Sequence, residues 1–188
     1  MTYTNENGIN ANYTESKEVE VESKYGLMMI TTMDGYNEDG DSIKTIDDEV
    51  VKGSLDMKSP ARVAKINEVV MNNYDETMQN VNIIGRIPSE GMNDGTVNTT
   101  LSNEIATTFE GAEIMYSEDA NAKAEDNTWK ASSEGAKSFK IKVGDLAKGA
   151  KGEINYSFVI PEGLEYGQSL YNRIDTYYTY LGNNMQQT

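Results

Sequence analysis

A two-residue alternation of apolar and polar side chains is the feature that most restricts how this chain can fold. Residues 17–29 (KEVEVESKYGLMM) place valines and a leucine on one face and glutamates on the other. Successive side chains of a β-strand point to opposite faces, whereas a helix would distribute these glutamates around its circumference. The same alternation recurs at 79–87, 137–143 and 152–160. Each of these segments is therefore predicted to be a half-buried strand.

Turn residues divide the rest of the sequence into further short segments of the same kind. Pro88 and Pro161 each follow a strand, where a residue without an N–H ends the hydrogen-bonded ladder. No amphipathic helical period stands out, so about nine short strands are predicted, which is typical of an all-β, antiparallel β-sandwich. The remaining strands are expected at 43–57, 62–72, 104–109, 112–117, around Trp129 and at 171–181. The core is expected to comprise Val19, Val21, Leu27, Ile66, Val81, Ile83, Phe139, Ile141, Ile154, Tyr156 and Phe158.

The domain organisation follows from where the alternation begins and ends. Residues 1–16 are rich in Asn, Thr and Glu without a period, and are predicted to be a flexible leader or linker. A single sandwich is predicted over 17–182, followed by a short tail over 183–188. Two smaller β units with a boundary near 52–60 are the alternative.

The composition excludes several classes of function. The 188 residues carry 16 basic and 31 acidic side chains, and the net charge of −15 repels nucleic-acid phosphates and anionic lipid headgroups. The chain has no Cys and no His, which excludes disulfides, thiolate chemistry, His-bearing metal sites and catalytic triads. We therefore expect a protein that is not an enzyme, that uses no cofactor or metal, and that contacts neither nucleic acid nor the membrane directly.

Acidic side chains leave two alternatives open. A pair of carboxylates can hydrolyse glycosides, but 31 acidic residues place some pair at a suitable spacing by chance, and a solvated acidic face is the favoured interpretation. Residues 34–41 (DGYNEDGD) contain four carboxylates and one Asn, a donor set suited to Ca²⁺. Their spacing differs from that of an EF-hand loop, and an ordinary acidic turn is the alternative.

Aromatic residues supply the candidate ligand-binding site. Trp129 lies in a polar surround and is the best single candidate for an exposed anchor. In the Tyr-rich last strand, Tyr178 and Tyr180 share one face and Tyr177 takes the other. Packing in the core or between strands is the alternative role for these tyrosines.

Two stretches of the sequence carry a recognisable pattern of strands and turns. The first comprises residues 69–73 (VVMNN) and 79–88 (QNVNIIGRIP), in which a strand ends in Asn, a polar turn follows, and an alternating strand closes with Pro. The second is 152–164 (GEINYSFVIPEGL). Together they cover about a third of the chain and resemble the Ig-like conserved-repeat domains of Gram-positive bacterial surface proteins. The loop at 89–103 and the strands before residue 60 depart from that pattern.

The resemblance implies an Ig-like sandwich in an extracellular protein that is secreted or associated with the cell wall. A structural, spacer or adhesive role would follow, with neighbouring domains of the same surface protein as partners. The longest apolar run, residues 27–30 (LMMI), is too short for a signal peptide or a membrane span, so the signal and the anchor are expected outside this chain. The alternative is a module that binds carbohydrate or a host protein through Trp129 and the Tyr-rich strand.

The resemblance also implies a covalent possibility, because some of these domains contain an isopeptide bond between Lys and Asn. Lys65 is the candidate, since it lies on a predicted strand and shares a face with Val63, Val69 and Met71, whereas Lys24 lies on a polar face. An ordinary surface lysine with its stem on apolar neighbours is the alternative.

Overall fold

The computed structural model shows β-strands as the regular secondary structure of the residues it describes. The described residues are 2–4, 10–12, 26–36, 42–43, 63–90, 95–163 and 170–188. The strands are β1 (Thr2–Thr4), β2 (Asn10–Asn12), β3 (Leu27–Tyr36), β4 (Ser42–Ile43), β5 (Val63–Asn72), β6 (Met78–Arg86), β7 (Thr100–Leu101), β8 (Ala106–Thr107), β9 (Glu113–Ser117), β10 (Ser138–Leu146), β11 (Lys151–Val159), β12 (Arg173–Tyr180) and β13 (Asn183–Gln187). Within the described ranges, no helix is long and apolar enough to cross a membrane.

Two antiparallel sheets account for all but the first two strands. The six-stranded sheet has the order β4-β3-β5-β11-β7, with β8 also paired to β11, and the five-stranded sheet has the order β13-β12-β6-β10-β9. The strands β1 and β2 form a separate antiparallel pair. This arrangement confirms the predicted all-β, antiparallel β-sandwich.

The apolar core lies between the two sheets and follows the alternation in the sequence. In β5, for example, Ala64, Ile66, Glu68 and Val70 are buried, while the alternate residues between them are half-buried or exposed. The nine described residues of the predicted core are all at most 5% exposed. The other two, Val19 and Val21, lie outside the described residues.

Two glycines lie directly beneath phenylalanine rings in the core. A Cβ atom at Gly85 would lie 2.0 Å from Phe139 Cζ, and one at Gly152 would lie 2.5 Å from Phe109 Cε1. Non-bonded carbon atoms cannot approach so closely. These positions therefore need glycine for packing, because any side chain would displace a ring.

The Asn that ends β5 ties three parts of the fold together. Asn72 is fully buried, and its Nδ2 donates to the carbonyls of Leu146 (2.8 Å) and Glu76 (3.0 Å). Its Oδ1 accepts a hydrogen bond from the Tyr74 N–H at 2.9 Å. The side chain thus fixes the turn from β5 to β6 against the end of β10, which gives a physical reason for an Asn at this point of the pattern.

Several boundaries differ from the predicted ones. Asp34, Gly35 and Tyr36 belong to β3, where Gly35 and Tyr36 pair with β4, so the predicted acidic loop starts later than expected. Residues 37–41 lie outside the described residues, as does the alternative boundary near 52–60. At the C-terminal end, β13 occupies the predicted tail because it pairs with β12.

Candidate functional site

The outer face of the five-stranded sheet, which points away from the core, holds most of the buried charge in the described chain. Arg86, Lys140 and Asp175 lie there with exposed fractions of 7%, 8% and 1%. Arg86 and Lys140 contact residues 118–137, which connect β9 to β10 and which we call the cover loop. The apolar side chains of Ile84 and Ala122 are fully buried at this contact. The loop is therefore a third layer over part of the sheet.

Side chains of the sheet hold the cover loop by its carbonyl groups. The contacts are Ser138 Oγ to Asp119 O (2.7 Å), Arg86 Nη1 to Ala120 O (3.1 Å) and Ala122 O (2.6 Å), and Lys140 Nζ to Ala124 O (2.9 Å). Burial lowers the pKa of both Arg86 and Lys140, since the charged form loses its hydration. The carbonyl oxygens of the cover loop replace part of the hydration that Arg86 and Lys140 lose, because they accept strong, charge-assisted hydrogen bonds.

Asp175 is the centre of an ionic cluster on the same face. Its carboxylate accepts two-pronged hydrogen bonds from Arg173 (2.8 to 3.0 Å) and one from Thr188 Oγ1 (2.6 Å), and Arg86 Nε lies 3.9 Å away. Burial on its own raises the pKa of Asp175, but the hydrogen bonds from Arg173 and Thr188 outweigh it and the pKa is lowered. The carboxylate is therefore ionised, and its bonds hold the C-terminal residue against the sheet.

Trp129 belongs to the cover loop and helps to hold it on the sheet. Its side chain is half-buried, its Nε1 donates to the Lys123 carbonyl at 2.8 Å, and Lys140 Nζ lies 4.9 Å from the ring centroid. An ammonium at this distance from an indole is attracted by the ring's electron density. Part of the indole is thus occupied in holding the loop, and part is accessible to a ligand.

Tyr178 and Tyr180 lie on the opposite, core side of β12. Tyr178 is 5% exposed, and its hydroxyl lies 3.0 Å from that of Tyr74. Tyr180 stacks on Tyr74 with ring centroids 3.9 Å apart. Burial is the main cause of the raised pKa of Tyr178. The structure therefore places these tyrosines in a cluster at the end of the core and does not bring them to the face that carries Trp129.

Lys65 lies on the exposed outer face of the six-stranded sheet. It does share a face with Val63, Val69 and Met71, but the core-facing residues of β5 are the alternate ones, such as Ile66. The ammonium lies 3.9 Å from the centroid of the Tyr36 ring. The register of β5 therefore places Lys65 on the outer face, because the alanine, isoleucine and valine of this strand point to the core.

Below the cover loop, the outer face of the five-stranded sheet carries a row of polar side chains, one from each strand. Strand pairing aligns Gln186 with Tyr177, Tyr177 with Asn82, Asn82 with Lys142, and Lys142 with Glu113. All five side chains are exposed or half-buried. We call this set the polar row.

An irregular backbone borders the polar row. The pairing of β6 shifts register between Tyr177 and Thr179 on one side and around Gly144 on the other. Between them Asn80 has φ of 54°, in the left-handed region, and its N–H donates to Asp145 Oδ1 at 3.2 Å. Asn82 Nδ2 donates to the Asn80 carbonyl at 2.8 Å. Bulges of this kind re-aim side chains and are frequent beside binding sites.

A cleft of about 590 Å³ lies elsewhere, between residues 98–104 and 133–137. Its lining includes hydroxyl, amide and carboxylate side chains such as Thr100, Asn103 and Glu134. No aromatic side chain lines it. The polar row, which includes an aromatic ring, is the better candidate site.

Comparisons with known proteins show no match to a family model and none to a curated protein. Among solved structures, the chain is similar to a protein of Corynebacterium diphtheriae described as membrane-anchored, with a TM-score of 0.49 and 6% identity over 90% of this chain. The match spans 34% of that protein's length. It is also similar to a carbohydrate-binding module of Ruminiclostridium thermocellum, with a TM-score of 0.35 and 16% identity over 85% of this chain and 99% of that one. Such distant likenesses carry no argument about function.

Sequence reasoning singled out Trp129 and did not single out the polar row. The signal was available in Tyr177, which was assigned to the face opposite Tyr178 and Tyr180. Asn82 and Lys142 come from strands far from β12 in sequence, so only the pairing register brings them into line with Tyr177.

Proposed function

We propose that the chain is a non-catalytic module of a bacterial surface protein, with a structural or adhesive role outside the cell. The observation that carries this proposal is the use of its buried charged groups. Arg86, Lys140 and Asp175 are all engaged in holding the cover loop and the C-terminal residue. Charged groups committed to structural hydrogen bonds in this way are not placed to act on a substrate.

The two ends of the described sandwich lie side by side. Gln187 Nε2, at the end of β13, donates to the carbonyl of Leu27, the first residue of β3, at 2.8 Å. The chain therefore enters and leaves the described sandwich at one place. This arrangement lets the rest of the domain project from its neighbours, as an adhesive role requires.

The location can be tested with an antibody raised against the purified module. We expect it to label intact, unpermeabilised cells of the source bacterium, and brief protease treatment of those cells should remove the signal. Labelling that appears only after permeabilisation would contradict the proposal.

The second candidate function is binding of carbohydrate or a host protein. It is favoured by the half-buried Trp129 and by the polar row below it, because a spacer needs no such surface.

A further inference from the structure

We propose that the polar row binds an elongated, uncharged glycan that lies across the five strands. This inference rests on the proposed function and deepens it by assigning an adhesive role to particular residues and a chemical class to the ligand.

The geometry of the row fits an elongated ligand. It has one side chain on each of five adjacent strands, and neighbouring strands lie about 4.8 Å apart, so its ends are separated by about 19 Å. Since the five side chains share one face and are accessible, a ligand can contact all of them without any rearrangement of the sheet.

The chemistry of the row fits sugar hydroxyl groups. Gln186 and Asn82 offer amide donors and acceptors, Lys142 donates and Glu113 accepts. Tyr177 contributes a hydroxyl together with the apolar face of a ring, on which the C–H face of a sugar can stack. Burial, with a further contribution from the charge of Asp175, raises the pKa of Tyr177, so its hydroxyl remains a donor at neutral pH.

The charge of the row favours a neutral ligand. Lys142 and Glu113 are directly opposed in the sheet, so their charges cancel locally. The chain as a whole carries −15, which repels an anionic polysaccharide at longer range. The 31 acidic side chains attract a cationic ligand to the surface as a whole and give it no reason to choose this row.

The surroundings of the row hold it in shape. On one side, the cover loop is fixed by the buried Arg86 and Lys140, and Glu125 of that loop is close enough to act on the pKa of Tyr177. On the other side, the bulge at Asn80 orients the amide of Asn82 through a 2.8 Å hydrogen bond. Pre-organised side chains lose less conformational entropy when a ligand binds.

Calorimetric titration of the purified chain tests the proposal. The probes are neutral hexasaccharides of glucose, xylose, mannose and N-acetylglucosamine, the matching disaccharides, and hexagalacturonate as an anionic hexamer. We expect at least one neutral hexasaccharide to bind, its disaccharide to bind more weakly, and hexagalacturonate not to bind.

Single substitutions assign the binding to the row. Tyr177→Ala and Asn82→Ala should each weaken the affinity at least about tenfold. Lys142→Ala, at an exposed position that does not affect folding, should weaken it at least about threefold. Tyr36→Ala is the matched control, since it removes a tyrosine from the outer face of the other sheet and should leave the affinity unchanged.

Three results would overturn the proposal: no neutral hexasaccharide binds, the anionic hexamer binds as tightly, or binding survives the row substitutions. Binding that survives Tyr177→Ala but is lost in Trp129→Phe would move the site and leave the adhesive role intact. The antibody labelling of intact cells is independent of these titrations, so failure of the surface location can be recognised separately.

Discussion

Glu68 occupies an unusual position in the middle of β5. It is 0% exposed on the core side of the strand, where its Oε2 accepts a hydrogen bond from the Thr31 hydroxyl. Its Oε1 has no hydrogen-bond partner among the described residues. Burial raises the pKa of Glu68, and the bond from Thr31 offsets this only in part. On the adjacent strand, burial and also the charge of Glu68 raise the pKa of Tyr156.

This carboxyl makes the stability of the module depend on pH. Because the pKa of Glu68 is higher in the folded state than in the unfolded state, protonation of this carboxyl favours folding. Its contribution to the free energy of unfolding is complete below the ordinary pKa of glutamate and is lost as the pH rises through the raised pKa. Glu68→Gln keeps the shape without the charge. We expect the variant to be more stable than the wild type at pH 8, by about 1.4 kcal/mol for each pH unit that the folded pKa lies above the ordinary value.

Urea unfolding at pH 5 and pH 8 measures the difference in free energy of unfolding between Glu68→Gln and the wild type. This difference should be smaller at pH 5 than at pH 8. The absence of His removes the usual cause of pH-dependent stability in this range. Glu153→Gln, at an exposed site on the outer face of β11, is the matched control and should show no such pH dependence. A pH-independent difference for Glu68→Gln would contradict the prediction.

The position of Lys65 leads to a second prediction at this scale. An isopeptide bond needs an uncharged amine, which burial provides, whereas this amine is exposed above the Tyr36 ring. We expect trypsin to cleave after Lys65 in the denatured chain and the released peptides to have unmodified masses. A cross-linked peptide that includes Lys65, lighter by one ammonia, would be the opposite result.

At the scale of elements, the cover loop depends on Arg86. Arg86→Gln leaves the carbonyls of Ala120 and Ala122 without their charged donor and removes one cation from Asp175. Loss of one partner from a buried charge network typically costs about 3 kcal/mol. We expect a loss of stability of this size in urea unfolding, and faster amide hydrogen exchange in residues 118–137.

Arg173→Gln is the informative comparison, because Arg173 bonds to the same carboxylate from a side chain that is 37% exposed. Its loss should also lower stability, because Asp175 is 1% exposed and loses three hydrogen bonds, but it should leave exchange in the cover loop unchanged. Equal effects of the two substitutions on exchange in residues 118–137 would show that the loop is not held by Arg86.

The central strands were predictable from sequence, and the cover loop was not. β5, β6, β10 and β11 each alternate between apolar and polar residues, and their predicted bounds agree with the structure to within a few residues. The cover loop has no period and looks like an ordinary polar loop. Its position on the sheet comes from hydrogen bonds to Arg86 and Lys140, which a pattern of apolar residues assigns to solvent. Short edge strands such as β7 and β13 were also missed, because two to five residues are too few to show an alternation of apolar and polar side chains.

At the scale of the whole molecule, the sandwich was predictable but the position of the site was not. The alternation determines which face of a strand is buried, so Tyr177 could be placed opposite Tyr178 from sequence alone. The order of strands in a sheet comes from long-range pairing, which local sequence does not specify. The alignment of Tyr177, Asn82 and Lys142 therefore appears only once β12, β6 and β10 are adjacent.

The contact between the end of β13 and the start of β3 has a consequence for a domain under tension. Because Gln187 and Leu27 lie side by side, a force that pulls the two ends of the described sandwich apart acts first on their 2.8 Å hydrogen bond and then on the two strands that carry them. The shorter ladder is that of β13, with 5 residues against 10 in β3. Because β13 supplies Gln186 to the polar row, a glycan that bridges the row would brace the strand that yields first. Attachment and mechanical resistance would then increase together.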